Sequence, residues 1–357
     1  MKIAQVCHRY YPHIGGVETH VQEISERLVK KGHEVEVLTT DPSARLPKDE
    51  VINGVRVRRF GSWAPSEAYY FSRDLQKYLT RNSGIYDLSH AHSYHSFPSL
   101  YAANAKNEKK LIVTPHYHGT SHTTFRAILF RFYKLVGRRI FEKADRVICV
   151  SNYEKNLLLK HFRIFEEKTT VIPNGINLSE FRNLKRTEKD HKTILYVGRL
   201  EEYKGVQYLV RALPRLGEDT ELEVVGKGQF KTAIVRLVRK LGVENRVKLS
   251  EDIPRNELLQ KYADADLFVL LSRHEAFAIC VAEALASGTP CIVANTSALT
   301  EWIDDKSCFG VDYPVKVDSL AELIKNVIGT EVHQPRLWDW EEVVNKVAEV
   351  YDDVGEI

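Results

Sequence analysis

A chain of 357 residues with 43% hydrophobic content is long enough for two domains of ordinary size, each with its own buried core. Its net charge of +3 divides unequally: residues 1–180 hold 27 basic and 18 acidic side chains (+9), and residues 181–357 hold 24 and 30 (−6). A basic half within a nearly neutral whole argues against general nucleic-acid binding and favours an anionic surface or substrate; a solvated face without a partner is the alternative.

The chain begins with a strand-like run, residues 2–7, that lacks the charged start, long apolar stretch and cleavage site of a secretory signal. No segment reaches the length of a membrane-spanning helix. The expected location is therefore the cytoplasm. Five widely spaced cysteines include no close pair of the metal-binding or redox kind, so buried reduced thiols are expected.

Apolar strand-length runs alternate with amphipathic helix-length runs in both halves, which is typical of parallel sheets covered by helices on both faces. The predicted strands are 2–7, 34–39, 55–60, 88–91, 111–114 and 146–150 in the first half, and 193–197, 221–225, 247–249, 267–271 and 290–294 in the second. A helix is predicted at 17–31 and a linker at 183–192. Ligands bind outside the carboxyl ends of such strands, so two facing sheets predict a cleft.

A loop with two cations follows the first predicted strand of the second half. Residues 198–205 place Arg199 and Lys204 at the carboxyl end of a strand and before a helix. A planar guanidinium and an ammonium fit a diphosphate and stabilise its charge without a metal. Surface ion pairing with the neighbouring Glu201 and Glu202 is the alternative.

Glycines in two other loops let the backbone approach a ligand. The segment Gly15-Gly16-Val17-Glu18 joins the first strand to the first helix, whose start can accept an anion. A plain tight turn explains this pair equally well, and the spacing is not that of a dinucleotide site. Gly226 follows the strand 221–225 and repeats the pattern of the cationic loop more weakly.

Two carboxylates, Glu275 and Glu283, flank the start of an apolar helix. The helix start offers unpaired N–H groups and the positive end of its dipole to a diphosphate, and the carboxylates can accept hydrogen bonds from sugar hydroxyls. The pattern predicts a nucleotide-sugar site. For Glu275 the alternative is an acid that only stabilises the helix dipole, whereas burial of Glu283 among apolar residues favours a ligand as its partner.

Histidines gather after two neighbouring strands of the first half: His90, His92, His95, His116, His118 and His122. Hydrogen bonding accounts for strand-end histidines, and no close acidic ligand completes a metal-binding set, so no metal site is predicted. His116 is the one we single out as a functional residue.

The chain resembles the retaining glycosyltransferases of family 4 over nearly its whole length. The motifs that carry the resemblance occur in the family's order and at its usual separations: the glycine pair with Glu18, the His116 segment, residues 171–177, residues 198–205 and the two glutamates. The stretch from Trp338 to Tyr351 resembles the family's final helix. The resemblance implies the GT-B fold, an α/β architecture of two Rossmann-like doubly wound domains that face each other across a cleft. It implies an N-terminal acceptor-binding domain at 1–180, a C-terminal nucleotide-sugar donor-binding domain at 181–335, and a helix at 336–357 that crosses back to the first domain.

The resemblance also implies two sets of site residues. The catalytic set is Glu275, Arg199, Lys204 and His116. The donor-binding set is Gly16, Gly226, Phe277, Ala278, Ile279 and Glu283. Within these sets Arg199 and Lys204 would bind the donor diphosphate. Glu275 would contact the transferred sugar, and Glu283 would contact the ribose. His116 would stand near the sugar on the acceptor side.

One departure from the family's pattern lies just before the apolar helix. The family usually has glycine where this chain has Ala276 and Ala278, so a methyl group lies where the sugar passes. Alanine is acceptable there if the backbone is helix-like. Donor choice and rate depend on that backbone.

The implied activity is that of a hexosyltransferase that moves a sugar, with retention, from a UDP- or GDP-linked donor to an acceptor hydroxyl. The leaving phosphate would act as the base, and no metal or other cofactor would be required. The alternatives are an acceptor that is a soluble sugar or a glucan, a nucleotide-sugar epimerase of the same fold, and a sugar-nucleotide-binding protein without catalysis.

The predicted helix 124–142 bears on the acceptor. Its apolar residues share one stripe: Phe125, Ile128, Leu129, Phe132, Leu135, Val136 and Phe141. A basic amphipathic helix can lie on an anionic membrane, which predicts a lipid-linked or membrane-proximal acceptor and peripheral attachment to the inner membrane face. Packing of the stripe against the sheet of the first domain is the alternative.

Overall fold

The computed structural model describes residues 1–65, 68–119, 124–162, 164–333 and 335–355, with the backbone alone for 124–132. The chain divides into two compact units. The first comprises Met1–Gly175 with Trp340–Ile357, and the second comprises Ile176–Asp339. The sequence places these boundaries after residues 180 and 335.

Both units are built from strands and helices in alternation. The strands are β1 (Lys2–Val6), β2 (Glu34–Asp41), β3 (Asp49–Ile52), β4 (Val55–Gly61), β5 (Leu88–His92), β6 (Lys110–Thr114), β7 (Arg146–Cys149), β8 (Thr169–Val171), β9 (Lys192–Val197), β10 (Thr220–Val225), β11 (Val247–Ser250), β12 (Leu267–Leu270), β13 (Cys291–Asn295) and β14 (Cys308–Asp312). The helices are α1 (Gly16–Lys30), α2 (Arg73–Asn82), α3 (Phe97–Ala105), α4 (Thr124–Lys143), α5 (Asn152–Phe162), α6 (Val206–Ala212), α7 (Lys231–Leu241), α8 (Arg255–Asp264), α9 (Ile279–Ala286), α10 (Val317–Val327) and α11 (Trp340–Gly355).

Each unit contains one sheet. The first has the order β3-β4-β2-β1-β5-β6-β7-β8, and the second has the order β11-β10-β9-β12-β13-β14. All neighbours pair in parallel except β3 with β4, which are antiparallel. The central strands are buried on both faces, which is why they consist of nearly continuous apolar runs such as that in β12.

The two parallel, helix-connected sheets confirm the predicted α/β fold, and the predicted strands agree with the observed ones to within two residues. The sequence missed β3, β8 and β14. All three lie at an edge of their sheet. Edge strands are covered on fewer sides than central ones, so they carry weaker apolar patterns.

The sequence predicted a linker at 183–192. The structure places this stretch in the second unit instead. The Thr187 N–H donates to Asp264 Oδ1 at 2.7 Å, and the Arg186 guanidinium pairs with Asp266. These carboxylates come from the end of α8 and just beyond it. A polar segment held by such contacts resembles a linker in sequence because its partners are distant along the chain.

The last helix, α11, belongs to the first unit. Its first residue, Trp340, is fully buried, and Arg27 of α1 pairs with Glu341 at 3.1 Å. Near its other end the Tyr351 hydroxyl accepts a hydrogen bond from Gln5 Nε2 at 3.1 Å and lies 2.6 Å from His90 Nδ1. The helix is therefore bound to the first sheet through its buried aromatic residues.

The described side chains of α4 begin at Tyr133. Ile140 and Phe141 are buried in the core of the first unit, while Arg138 and Arg139 are exposed. The first four residues of the predicted apolar stripe, from Phe125 to Phe132, have side chains outside the described residues. Among the helices that the structure describes, none combines the length and apolar character needed to span a bilayer.

Candidate functional site

The second sheet changes direction at the pair β9 and β12: the chain proceeds to β10 and β11 on one side and to β13 and β14 on the other. Ligands of doubly wound sheets bind outside the carboxyl ends of the strands at such a switch point. The loops there are 198–205 after β9 and 271–278 after β12. Arg199, Lys204 and Glu275 therefore lie at the expected ligand-binding end of the sheet.

Lys204 and Glu275 form an ion pair between these two loops. Lys204 Nζ lies 2.6 Å from Glu275 Oε1, and each side chain is only 14% exposed. Burial lowers the pKa of Lys204, but the charge of Glu275 and its hydrogen bond with the ammonium outweigh burial and leave that pKa above its ordinary value. The ammonium stays charged at neutral pH, and Glu275 uses one of its three N–H donors. The surface pairing of Lys204 with Glu201 or Glu202, considered from sequence, is wrong.

Arg199 lies on the same loop with an exposed side chain. Its Nη2 donates to the Tyr203 hydroxyl at 3.0 Å, and its carbonyl accepts from the Tyr196 hydroxyl at 2.8 Å. The Tyr203 ring in turn lies 5.4 Å from Lys204 Nζ, within cation–π range. Tyr203, which was not predicted from the sequence, thus contacts both cations.

Gly226 brings the loop after β10 into contact with the cationic loop. It has φ 148°, and a Cβ there would lie 1.9 Å from the Gly198 carbonyl oxygen. The Leu200 N–H also donates to the Lys227 carbonyl at 2.8 Å. Loop packing alone therefore requires glycine at this position, and its contact with a donor stays a prediction.

Ala278 is the residue before α9 and adopts the left-handed conformation, with φ 76° and ψ 73°. The helix-like backbone that would make alanine acceptable there is therefore absent, and the Cβ costs about 1–2 kcal/mol. The N–H groups of Ala278, Ile279 and Cys280 have no hydrogen-bond partner in the part of the chain that the structure describes. Together with the helix dipole they form an anion-binding helix start.

Two hydrogen bonds hold the loop that leads into α9. The Glu275 N–H donates to Ser297 Oγ at 3.1 Å, and Trp302 Nε1 donates to the Phe277 carbonyl at 2.7 Å. The rings of Phe277 and Trp302 also meet edge to face, with centroids 5.2 Å apart. These contacts keep the backbone before α9 in one conformation.

Ala278→Gly should raise the free energy of unfolding by about 0.5–1 kcal/mol, because glycine adopts a left-handed conformation without the Cβ penalty and loses part of the gain to backbone entropy. Urea denaturation followed by circular dichroism measures the change. Ala282→Gly, inside the same helix, is the matched control and should lower stability by about 1 kcal/mol. An Ala278→Gly variant no more stable than the parent contradicts the assigned strain.

Glu283 is buried on α9 and has protein partners for both oxygens. Arg255 Nη1 lies 2.5 Å from Oε1, and the Tyr262 hydroxyl donates to Oε2 at 3.0 Å. Protein partners thus compensate the burial of Glu283. Its burial, from which the sequence analysis inferred a ligand, is therefore no reason to expect one. Arg255 also pairs with Glu180 at 2.7 Å. The sequence did contain a signal for the role of Arg255. A cation in the first turn of a helix interacts unfavourably with the helix dipole, and a nearby carboxylate compensates this.

The glycine pair of the first unit begins α1. A Cβ on Gly15 would lie 2.5 Å from Glu18 Oε2, so packing explains this residue. The buried Glu18 carboxylate accepts a hydrogen bond from Arg9 Nε at 3.1 Å. Gly16 is exposed, and a Cβ there would meet no atom within 4 Å. Nothing in its packing therefore requires glycine, and its contact with a donor stays a prediction.

His116 lies in the loop after β6 and is buried with two other histidines. The centroids of His116 and His20 are 4.8 Å apart, and those of His116 and His92 are 6.0 Å apart. Burial lowers the pKa of His20 to about 4 and holds the pKa values of the other two well below the ordinary value. All three imidazoles are therefore neutral at pH 7.

His20 is the member of this group that the sequence analysis missed. It lies on the buried face of α1, four residues before Ile24 and eight before Leu28. That helical spacing was the available signal for a buried histidine. Of the other predicted histidines, His90 is satisfied by Tyr351 and Thr114, and His122 lies outside the described residues.

Glu154 of α5 accepts hydrogen bonds from the backbone, including one from the loop that carries His116. Its carboxylate accepts from the N–H of Val150 at 2.6 Å and from the N–H of Tyr117. Burial outweighs these two donors and raises the pKa of Glu154 to about 8. Between its ordinary pKa and this value only the folded state holds the proton, so the free energy of unfolding falls as pH rises, by up to about 1.4 kcal/mol per pH unit.

Glu154→Gln should remove this component of the pH dependence, which urea denaturation between pH 5 and pH 9 measures. The difference between parent and variant should change with pH up to the raised pKa and then stay constant. Glu142→Gln, at an exposed carboxylate of the same unit, is the control and should keep the parental slope. Equal slopes in the parent and in Glu154→Gln contradict the raised pKa.

Two helix-connected parallel sheets, one with cations and a helix start at its switch point, define a protein with two Rossmann-like domains of the GT-B glycosyltransferase class. Comparison with protein families agrees: Glycosyltransferase Family 4 matches residues 14–180, and Glycosyl transferases group 1 matches residues 179–338. The chain belongs to glycosyltransferase family 4, as the sequence motifs predicted.

Relatives match over almost the entire chain. An uncharacterized glycosyltransferase of Methanocaldococcus jannaschii is 30% identical, over 98% of this chain and 98% of that one. Glycogen synthase of Mycobacterium tuberculosis is 28% identical, over 98% of this chain and 94% of that one. The structure of Anabaena HepE in complex with UDP-glucose has a TM-score of 0.79 at 18% identity, over 99% of this chain and 100% of that one. This likeness confirms the GT-B fold.

Proposed function

We propose that this protein transfers a hexosyl group from a UDP-sugar to an acceptor hydroxyl, with retention at the anomeric carbon and without a metal in the transfer step. The proposal rests above all on the ion pair between Lys204 and Glu275 at the switch point of the second sheet. A cation suited to a diphosphate and a carboxylate suited to sugar hydroxyls are side by side there. UDP-glucose is the first donor to test, because it occupies the Anabaena neighbour.

The diphosphate is assigned to the cationic loop and to the start of α9. Lys204 keeps two N–H donors for phosphate oxygens while it contacts Glu275, and Arg199 is exposed on the same loop. The unpaired N–H groups from Ala278 to Cys280 add donors of fixed direction. This arrangement supplies the positive charge that a metal would otherwise bring to the leaving diphosphate.

The sugar and ribose are assigned to the two glutamates. Glu275 has one oxygen on Lys204 and a second available to hydroxyls of the transferred sugar. Each oxygen of Glu283 has one protein partner and a further lone pair for a ribose hydroxyl. Phe277, Gly16, Gly226 and His116 carry the roles that the family resemblance implies, as part of this proposal.

The chemistry needs no protein nucleophile. The bond between the anomeric carbon and the β-phosphate oxygen breaks, and the acceptor oxygen bonds to the same face of that carbon. The acceptor proton passes to an oxygen of the leaving phosphate. Lys204 and Arg199 stabilise the charge that develops on this phosphate, which is where electrostatic catalysis is most effective.

The test is release of nucleoside diphosphate from a panel of UDP-, GDP- and ADP-sugars, with soluble saccharides in one arm and a lipid extract in the other. We expect acceptor-dependent release of UDP, and an α-linked product from an α-linked donor by NMR. Interconversion of the donor without acceptor would identify an epimerase. Donor binding without turnover in either arm would identify a binding protein and overturn the proposed transfer.

The lipid arm addresses the predicted membrane-proximal acceptor. The first half of the chain carries the +9 charge, and Arg138 and Arg139 are exposed on α4. Sedimentation with anionic liposomes at low and high salt separates this acceptor class from a soluble sugar or glucan. Salt-sensitive binding together with transfer to lipid would support it. Transfer confined to soluble saccharides would assign the acceptor to that class.

A further inference from the structure

Three buried histidines from three elements converge in the first unit. His20 is on α1, His92 ends β5, and His116 follows β6; their exposed fractions are 1%, 0% and 8%. One ring nitrogen of each can be chosen so that all three atoms lie within 4.8 Å of one another. Among the described residues this is the one group of histidine, cysteine and acidic side chains with such spacing.

Hydrogen bonds to side-chain amides set the tautomers of two of these rings. His20 Nδ1 lies 2.6 Å from Asn174 Oδ1, and His92 Nε2 lies 2.7 Å from Gln5 Oε1. Amide oxygens only accept hydrogen bonds, so each of these ring nitrogens carries the proton and donates it. The other ring nitrogen of each histidine, Nε2 of His20 and Nδ1 of His92, therefore has a free lone pair.

The nitrogens that remain are buried without a partner. His20 Nε2, His92 Nδ1 and His116 Nε2 have no hydrogen-bond partner among the described residues. A buried polar atom left unsatisfied costs about 1–3 kcal/mol. By contrast, the neighbouring His90 has Tyr351 on one ring nitrogen and Thr114 on the other. His20 and His92 thus present two buried acceptor nitrogens that lack a donor, and the unpartnered Nε2 of His116 lies in the same buried group.

We propose that His20, His92 and His116 bind one late first-row transition-metal ion, with Zn²⁺ as the first to test. Neutral imidazole nitrogens are preferred ligands of Zn²⁺, Cu²⁺ and Ni²⁺, whereas Mg²⁺ and Ca²⁺ require oxygen. Metal-bound histidines almost always donate their other N–H to a carbonyl or carboxylate, which is what Asn174 and Gln5 accept here. The sequence predicted no metal site, because hydrogen bonding accounted for the strand-end histidines and no close acidic ligand completed a set; His20 was not among the histidines considered.

Binding of one ion requires the three ring nitrogens to come closer together. Tetrahedral Zn²⁺ at about 2.0–2.1 Å from each nitrogen places the nitrogens roughly 3.3 Å apart. The chosen ring nitrogens lie within 4.8 Å of one another, so ion binding requires them to approach by up to about 1.5 Å. The bound ion would join α1 to the carboxyl ends of β5 and β6 and would stabilise the folded first unit by mass action.

Metal binding by the chelator-stripped full chain tests the proposal. We expect one Zn²⁺ per chain after desalting, a higher melting temperature with Zn²⁺ than with chelator, and visible Co²⁺ absorption bands typical of a four-coordinate ion with three nitrogen ligands. His20→Gln and His92→Gln should each weaken Zn²⁺ binding, in competition with a chromophoric chelator, by at least about 100-fold. Asn174→Ala, which removes only the outer acceptor, should weaken it by about 10–100-fold.

The matched control is His333→Gln, at an exposed histidine of the second unit, which should bind Zn²⁺ as the parent does. Circular dichroism in chelator shows whether each variant is folded. If a histidine variant fails to fold, the Co²⁺ spectrum of the parent and the Asn174→Ala affinity decide. A parent chain that retains no stoichiometric metal, or folded variants with parental affinity, would overturn the site.

The result is independent of the proposed transferase activity, because metal content and spectra are measured without substrate. His116 appears in both proposals, and a metal on its Nε2 would make that nitrogen unavailable to a sugar. The variants of choice are therefore His20 and His92, to which no role in the transfer is assigned.

Discussion

Lys204→Met is expected to lower kcat/KM for sugar transfer by about 10²–10³-fold, the loss typical when one preorganised donor to a developing negative charge is removed. Lys204 is the cation held at the switch point of the second sheet, where the donor phosphate is proposed to leave. Methionine keeps the length and apolar stem of lysine and removes only the ammonium. The measurement is the rate of acceptor-dependent nucleoside diphosphate release.

Lys248→Met is the matched control. Lys248 also forms an ion pair of 2.6 Å with a glutamate of the second unit, Glu221, but its side chain is 56% exposed. Its replacement should leave kcat/KM unchanged, because an exposed pair contributes at most about 1 kcal/mol to stability and touches no proposed ligand. Equal rates for Lys204→Met and Lys248→Met would remove Lys204 from the site.

Glu275→Gln extends this test to the sugar side. The variant keeps the shape of the side chain and loses the charge that pairs with Lys204. We therefore expect a weaker contact with the sugar and a less well defined position of the Lys204 ammonium. Because the two residues touch, the double variant should lose less than the product of the two single effects. Multiplicative losses would show that the two residues act independently, contrary to the proposed shared site.

Trp340→Ala should lower the free energy of unfolding of the first unit by about 3–5 kcal/mol, because the cavity left by a fully buried indole is not filled by its neighbours. Trp340 is 1% exposed and begins α11, and its ring lies 5.9 Å from that of His20. Loss of this anchor should also loosen α11. Urea denaturation in the presence of chelator, followed by circular dichroism, measures the change.

Trp63→Ala is the control, because it removes the same side chain from an exposed position. Trp63 belongs to the same unit but is 67% exposed, with its ring stacked on Phe71 at 5.5 Å. Its removal should cost about 1 kcal/mol or less. If Trp340→Ala is as mild as Trp63→Ala, the last helix is not an integral part of the first unit.

Most of the fold was predictable because it depends on local pattern. Central strands such as β12 are buried on both faces and consist of apolar residues throughout, so they stand out in the sequence. The edge strands β3, β8 and β14 were not predicted, because an edge is covered on fewer sides and needs fewer apolar residues. The segment 183–192 was mistaken for a linker because its carboxylate partners lie at the far end of α8.

The sequence identified individual residues of the site but not the contacts between them. The sequence placed Lys204 at the end of a strand and Glu275 before a helix, but their pairing depends on β9 and β12 being neighbours. The burial of Glu283 was inferred correctly, yet Arg255 rather than a ligand compensates it. Ala278 was predicted to be acceptable only if the backbone there is helix-like, and the backbone is left-handed.

The sequence alone determined the alternation of strands and helices, the family, and the residues at the carboxyl ends of the strands, because these follow from periodicity and motif spacing. Only the tertiary structure decided which side chains meet: Lys204 with Glu275, Glu283 with Arg255, and His20 with His92 and His116. The reason is physical. Strand order and helix rotation bring residues separated by tens of positions within a few ångströms, and no local pattern encodes those distances.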